Sequence, residues 1–269
     1  MARMVLLLGW LLTWQVPGLA AETLVIPGTG SCEAILQELA GAFNAAHPGL
    51  EVSIPPSVGS RGGLRALLSD HCVLARIVVP LDKKLDPNFQ YRIFATDAVV
   101  FAVGANVVVN NLTLSQLVEI FSGKITNWRD VGGPDGPIRV IIRDPADAIL
   151  TTVQFYFKEF QNIRFGPESK IAYHDAEMVA LLKKYKNGIG MAAGSGIHAE
   201  SSLKALALDG IAPSAANLKN GNYRATMTYA LVSKKGSLPE LAQNFLDFVF
   251  SNEARTRIEK YGLIPAEPK

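Results

Sequence analysis

Cysteine is scarce in this chain. Cys32 and Cys72 are the only two, enough for one disulfide at most, which excludes a disulfide-stapled scaffold. Cys32 follows the first expected strand and Cys72 precedes the third, at opposite ends of a parallel sheet, which argues against pairing. Excess charge is also missing: 26 basic and 24 acidic residues leave +2, and the lysines are scattered along helical stretches such as Leu181-Leu182-Lys183-Lys184. That pattern excludes the basic face interleaved with aromatics expected of a nucleic-acid binder. Four histidines, none spaced i to i+4 from another ligand, argue against a metal site. No Gly-x-Ser-x-Gly elbow, His-Glu-x-x-His helix or phosphate-loop Gly-Lys-Ser/Thr occurs, and Cys32 has no identifiable base, so the chain reads as a non-enzyme without a cofactor. There is no internal repeat, low-complexity tract or proline- or glycine-rich linker.

Charge is absent again from Met4 to Ala21, a run preceded by Arg3 and ending in Gly18-Leu19-Ala20-Ala21. It reads as a secretory signal over residues 1–21, cleaved near Ala20-Glu22. Its strongly apolar part, Met4 to Trp14, is short for the ~20 residues that span a bilayer, which disfavours a membrane anchor. A periplasmic or secreted protein is expected.

What is present is an alternation of short apolar strands with amphipathic helices, the pattern of an α/β fold with mostly parallel sheets flanked by helices. Strands are expected at Thr23 to Ile26, Leu50 to Ile54, Val73 to Val79, Ala98 to Val103, Ile138 to Ile142, Ile189 to Ala193 and Tyr223 to Val232. Ile35, Leu36, Leu39, Ala40 and Phe43 form a helical stripe, and further helices run from about Ala148 to Phe160 and from Asp175, read as an N-cap, towards Gly188. Ser237-Leu238-Pro239-Glu240 reads as a capping box opening a last helix that runs to Tyr261-Gly262. Between Leu112 and Trp128, Thr113 caps a helix, Gln116 bonds back to it, and Gly123 closes the far end.

The wording of that segment, LTLSQLVEIFSGKITNW, closely resembles the phosphate-binding-protein-like family of periplasmic solute receptors. So do Leu181 to Gly190 and NFLDFVFSNEARTRIEKYGLIP over Asn244 to Pro265; the resemblance runs from about Leu24 to Pro265. It implies a two-lobed periplasmic binding protein of the type II-like kind, with a ligand cleft between α/β lobes that close over a small inorganic or organic anion. Lobe one would comprise residues 22–95 plus 226–269 and lobe two residues 96–225. It also implies a monomer serving an ABC permease of the inner membrane.

Two loops suit an anion on physical grounds. Thr29, Gly30 and Ser31 lie between a strand and a helix, where free N–H groups and the helix dipole favour negative charge, and Ser60, Arg61 and Gly62 do the same before the second helix. Glycine and serine at such turns also serve as plain turn and cap chemistry. Arg143 matches the arginine that family members direct at the anion, and its planar fork can grip one oxyanion; the alternative is a salt bridge to Asp144 or Asp147. Thr151, Thr152 and His174 are further candidates, although the threonine hydroxyls can instead bond back to helix carbonyls.

The chain departs from the phosphate-binding pattern twice. Asp147-Ala148-Ile149 stands where phosphate binders have Ser-Gly-Thr, and a carboxylate there repels an oxyanion unless a proton or an arginine offsets it. Val78 replaces an aspartate that accepts the proton of hydrogen phosphate, leaving Asp97 or Asp147 as substitutes. Arg76 is an added charge, directed either at the cleft or out from a sheet edge to Asp70 or Asp82. These departures motivate an alternative: a receptor with an altered or lost phosphate site, acting in signalling or as an interaction module.

Overall fold

Ile35, Leu36, Leu39, Ala40 and Phe43 are buried along one face of a helix, as their spacing requires, and Phe43 packs edge-on against Phe245 at 5.5 Å. The computed structural model describes residues 22–81 and 85–267; the expected signal segment lies outside them. The chain opens with β1 (Glu22–Val25), α1 (Glu33–Ala46), β2 (Leu50–Ser53), α2 (Gly59–Leu68), β3 (Ala75–Val78) and β4 (Phe89–Val103). Then come β5 (Asn111–Leu112), α3 (Leu114–Phe121), β6 (Arg139–Arg143), α4 (Ala148–Tyr156), β7 (Lys170–Ala172), α5 (Asp175–Lys184) and β8 (Gly188–Ala193). The remainder is α6 (Gly194–His198), β9 (Lys204–Ala205), β10 (Ala207–Leu208), α7 (Ala215–Lys219), β11 (Thr226–Lys234), α8 (Glu240–Val249), α9 (Asn252–Lys260) and β12 (Ile264–Pro265).

The class is α/β, as expected, but the sheets are mixed. A large sheet runs β3-β11-β4-β8-β6-β7; only β6 with β7 and β6 with β8 are parallel within it, while β1-β2 and β5-β10 are separate parallel pairs. The 15-residue β4 is the common element. Its first part, up to Ala98, pairs with β11, and from Val99 onward it pairs with β8. Each part is covered by its own helices. Around the second part, Phe101, Phe121 and Phe160 form an aromatic cluster with ring centroids 5.7–5.8 Å apart.

Local signals are largely realised. The capping box at α3 is complete: Thr113 accepts from the Gln116 amide, Gln116 accepts from the Thr113 amide, and Gly123 turns out of the helix at φ +78°. The box at Ser237 does not form. Pro239 takes the N-cap position of α8 with extended ψ, leaving Ser237 outside the first turn. The expected last helix is two, because the Ser251 hydroxyl accepts from the Ala254 amide and starts α9 afresh. Both cysteines are free, and Cys32 is buried. Burial pushes the Cys32 thiol up to about 12, the opposite of an activated nucleophile.

Candidate anion-binding cleft

Gly28 sits at φ +151° against β3, where any side chain would collide with the Arg76 carbonyl, and this close approach shapes one wall of a cleft of about 750 Å³. Arg76 lies behind the wall. It is fully buried and its guanidinium is consumed by the carbonyls of Ile26, Thr29 and Pro55 and the carboxylate of Glu33, so it neither reaches the cleft nor pairs with a surface aspartate. Its role is to hold the loop that carries Thr29, Gly30 and Ser31.

Thr29, Gly30, Ser60 and Arg61 line this wall together with Ser57, which the sequence reading passed over. Ser57 Oγ accepts from the Gly59 amide and donates to the Gly28 carbonyl, and Ser60 Oγ accepts from the Val78 amide. Neither Cys32 nor Val58, at the N-cap positions of α1 and α2, makes a side-chain cap bond. At α2 the Ser57 hydroxyl covers only the Gly59 amide, so its start, like that of α1, is not closed by an N-cap side chain. Arg61 is exposed and has no ion-pair partner among the described residues. Gly62 packs towards Val58 within α2 rather than lining the cleft.

The opposite wall comes from the ends of β6 and the starts of α4 and α5. Arg143, at the end of β6, is fully buried beneath the cleft surface. Its Nε donates to Asp147 Oδ1 at 3.1 Å, and its Nη2 donates to Asp147 Oδ2 at 2.7 Å and to Asp175 Oδ2 at 3.4 Å. Burial works against its charge, but the carboxylates of Asp175 and Asp147 outweigh it and hold the guanidinium protonated. Asp147 also caps α4, accepting from the Ile149 amide at 2.8 Å. So the Arg143–Asp147 bridge is present, and Asp175 joins it.

Asp175 is not the cap of α5. His174 is, through Nδ1 accepting from the Glu177 amide, which places the ring proton on Nε2 in this arrangement. Asp175 turns inward, where Ser31 Oγ donates to its Oδ2 at 3.2 Å. Its carboxyl is held above the usual range, first by burial and then by Asp147, against the pull of Arg143. Thr151 and Thr152 line the cleft, but their hydroxyls donate back to the carbonyls of Asp147 and Ala148. His174 also lines it. The mouth is apolar: Val58, Leu81, Phe155 and Tyr173 all face it, the last two 49% and 63% exposed.

Asp97 does not substitute for the acceptor missing at Val78. It is buried in β4 where the two parts of the large sheet meet, accepts from the Ser195 amide and hydroxyl and from Tyr229, and lines a separate cavity of about 280 Å³.

A mixed-sheet α/β fold with two helix-covered regions facing each other across a cleft that carries charged and hydroxyl groups behind an apolar mouth defines a two-lobed periplasmic binding protein. The chain belongs to the PBP superfamily, whose domain model it matches over residues 16–253. It is 22% identical over 250 residues to the phosphate-binding protein PstS of Borreliella burgdorferi, covering 89% of this chain and 88% of that one. To PstS of Bacillus subtilis it is 25% identical over 254 residues, covering 91% and 81%. Among solved structures it resembles a phosphate ABC transporter substrate-binding protein assignment from Clostridium perfringens with bound phosphate, at TM-score 0.76 and 24% identity, covering 91% of this chain and all of that one. An ABC-type phosphate transport receptor from Vibrio cholerae follows at TM-score 0.65 and 23% identity, with the same coverage.

Proposed function

We propose that this protein is a periplasmic solute receptor that captures a small oxyanion, phosphate or a related anion, and delivers it to an ABC permease of the inner membrane. The observation that carries this reading is the α1–α2 wall, where the Gly30 loop, the start of α2 and Arg61, which has no ion-pair partner among the described residues, face the cleft. Thr29, Gly30, Ser60 and Arg61 supply donors from lobe one, residues 22–95 plus 226–269. Arg143 supplies the counter-charge from lobe two, residues 96–225. Support for these lobes comes from the switch of β4 partners at Ala98–Val99, beside the start of β11 at Thr226. The names of the relatives support the ligand class, and the uncharged run from Met4 to Ala21 supports export as a secreted receptor. Binding and release, rather than chemistry, is the activity.

Calorimetric titration with phosphate, sulfate, molybdate, tungstate, phosphonates and small carboxylates tests this. Saturable binding of one of these anions at one site is expected. Silence for all of them overturns it and selects the second reading, an interaction module with a lost site, which the neutralisation of Arg143 by Asp147 and Asp175 favours.

A further inference from the structure

Two features recognise a buried oxyanion: a planar guanidinium fork and free amides at a helix start. On the β6–α4 side of the cleft both exist and both meet Asp147, while Arg143 Nη2 also reaches Asp175 Oδ2 at 3.4 Å. Asp147 Oδ1 accepts from the Ile149 amide and from Arg143 Nε, and Oδ2 accepts from Arg143 Nη2. The carboxylate is bound as a ligand anion would be, bidentately to the arginine and on the start of a nine-residue helix. Its side chain is 15% exposed, so it forms the cleft surface above an arginine that is wholly buried. Arg143 Nη1 is buried and has no hydrogen-bond partner among the described residues, a donor that the two oxygens of Asp147 leave unmet.

We propose that Asp147 is an internal anion seated where the external oxyanion binds, and that the solute enters this seat by displacing it. The proposal rests on the oxyanion reading above and names the residue that sets its affinity threshold. A tetrahedral anion brings a third and a fourth oxygen, one for Nη1 and one for the α1–α2 wall opposite. A monocarboxylate only repeats what Asp147 already supplies. Displacement costs the helix cap and the ion pair, a penalty common to every anion, so only anions whose extra oxygens gain more than that penalty from Nη1 and the opposite wall bind measurably.

The test is calorimetric titration of phosphate into the wild-type chain and into Asp147→Ser and Asp147→Asn. Serine and asparagine both cap helices well, so α4 persists, and matching circular dichroism checks this. Both variants are expected to bind phosphate about tenfold or more tightly than the wild type, the factor that ~1.4 kcal/mol converts to. Phosphate binding that is equal or weaker in both variants overturns the internal-anion proposal and leaves the receptor reading standing. Failure of the wild type and both variants to bind any of the tested oxyanions overturns both.

Discussion

Ser31 Oγ donates a 3.2 Å hydrogen bond to Asp175 Oδ2, joining the loop after β1 to the first turn of α5 across the cleft. The two residues are 144 positions apart. The bond links the two walls and takes part of the charge of a carboxylate whose other oxygen, Oδ1, is buried without a hydrogen-bond partner among the described residues. Ser31→Ala is therefore expected to lower stability by about 1.5–3 kcal/mol, the usual worth of a hydrogen bond to a charged group. Chemical denaturation measures it; an unchanged midpoint would show that the link contributes nothing.

Arg143 neutralises two carboxylates that would otherwise face each other in a poorly solvated site. Arg143→Ala is expected to cost about 3–5 kcal/mol, the range for removing one partner of a buried ion pair. Acidification relieves part of that loss, because protonating Asp175, already held above the usual carboxylate range by burial, removes one uncompensated charge. Thermal melts of the variant between pH 7 and pH 4 should therefore converge on the wild type; a constant gap contradicts this.

Asp97 gives a pH dependence of opposite sense to most native carboxylates. Burial, only partly offset by Ser195 and Tyr229, raises its carboxyl from 3.8 to about 6. The folded state then binds the proton more tightly than the unfolded chain does, so the group costs nothing below the unfolded value. Stability falls as pH rises from about 4 to about 6, and the full penalty, about 3 kcal/mol, persists above that. Asp97→Asn removes this penalty. The melting temperature of the wild type, relative to the variant, should fall across that window and then level; a rise refutes the assignment.

Cys32 is buried, with its thiol pushed up to about 12, and Cys72 is half-buried with its thiol also raised by burial. An alkylating reagent at pH 8 should leave Cys32 unmodified in the folded protein and modify both residues after denaturation. Rapid native labelling of Cys32, read by mass spectrometry, would contradict its placement.

What the sequence disclosed follows the range of the forces involved. The α1 stripe and the α3 capping box are local patterns, and both are realised residue by residue. The back-bonding of Thr151 and Thr152 is equally local. The family resemblance carried the fold, while the loops around Gly30 and Ser60 were legible only as glycine and serine at strand-to-helix turns. Asp175 was misread because an acidic residue at a helix start looks the same whether it caps or turns inward, and its partner Ser31 is distant in the chain. Arg76 was unreadable for the same reason: three carbonyls, from Ile26, Thr29 and Pro55, decide its role, and carbonyls leave no mark in side-chain identity. The mixed strand directions depend on β4, antiparallel to β8, and on β11, which returns late in the chain to pair antiparallel with both β3 and β4.

The central claim, that the cleft seats an oxyanion between the α1–α2 wall and Arg143, is tested most directly by a crystal structure grown with arsenate, whose arsenic is located by anomalous scattering. The account predicts an arsenic peak between Gly30, Ser60 and Arg143, with Asp147 turned away from the arginine. Arsenic located only outside the cleft, or in the cleft with the Arg143–Asp147 pair intact, would contradict it.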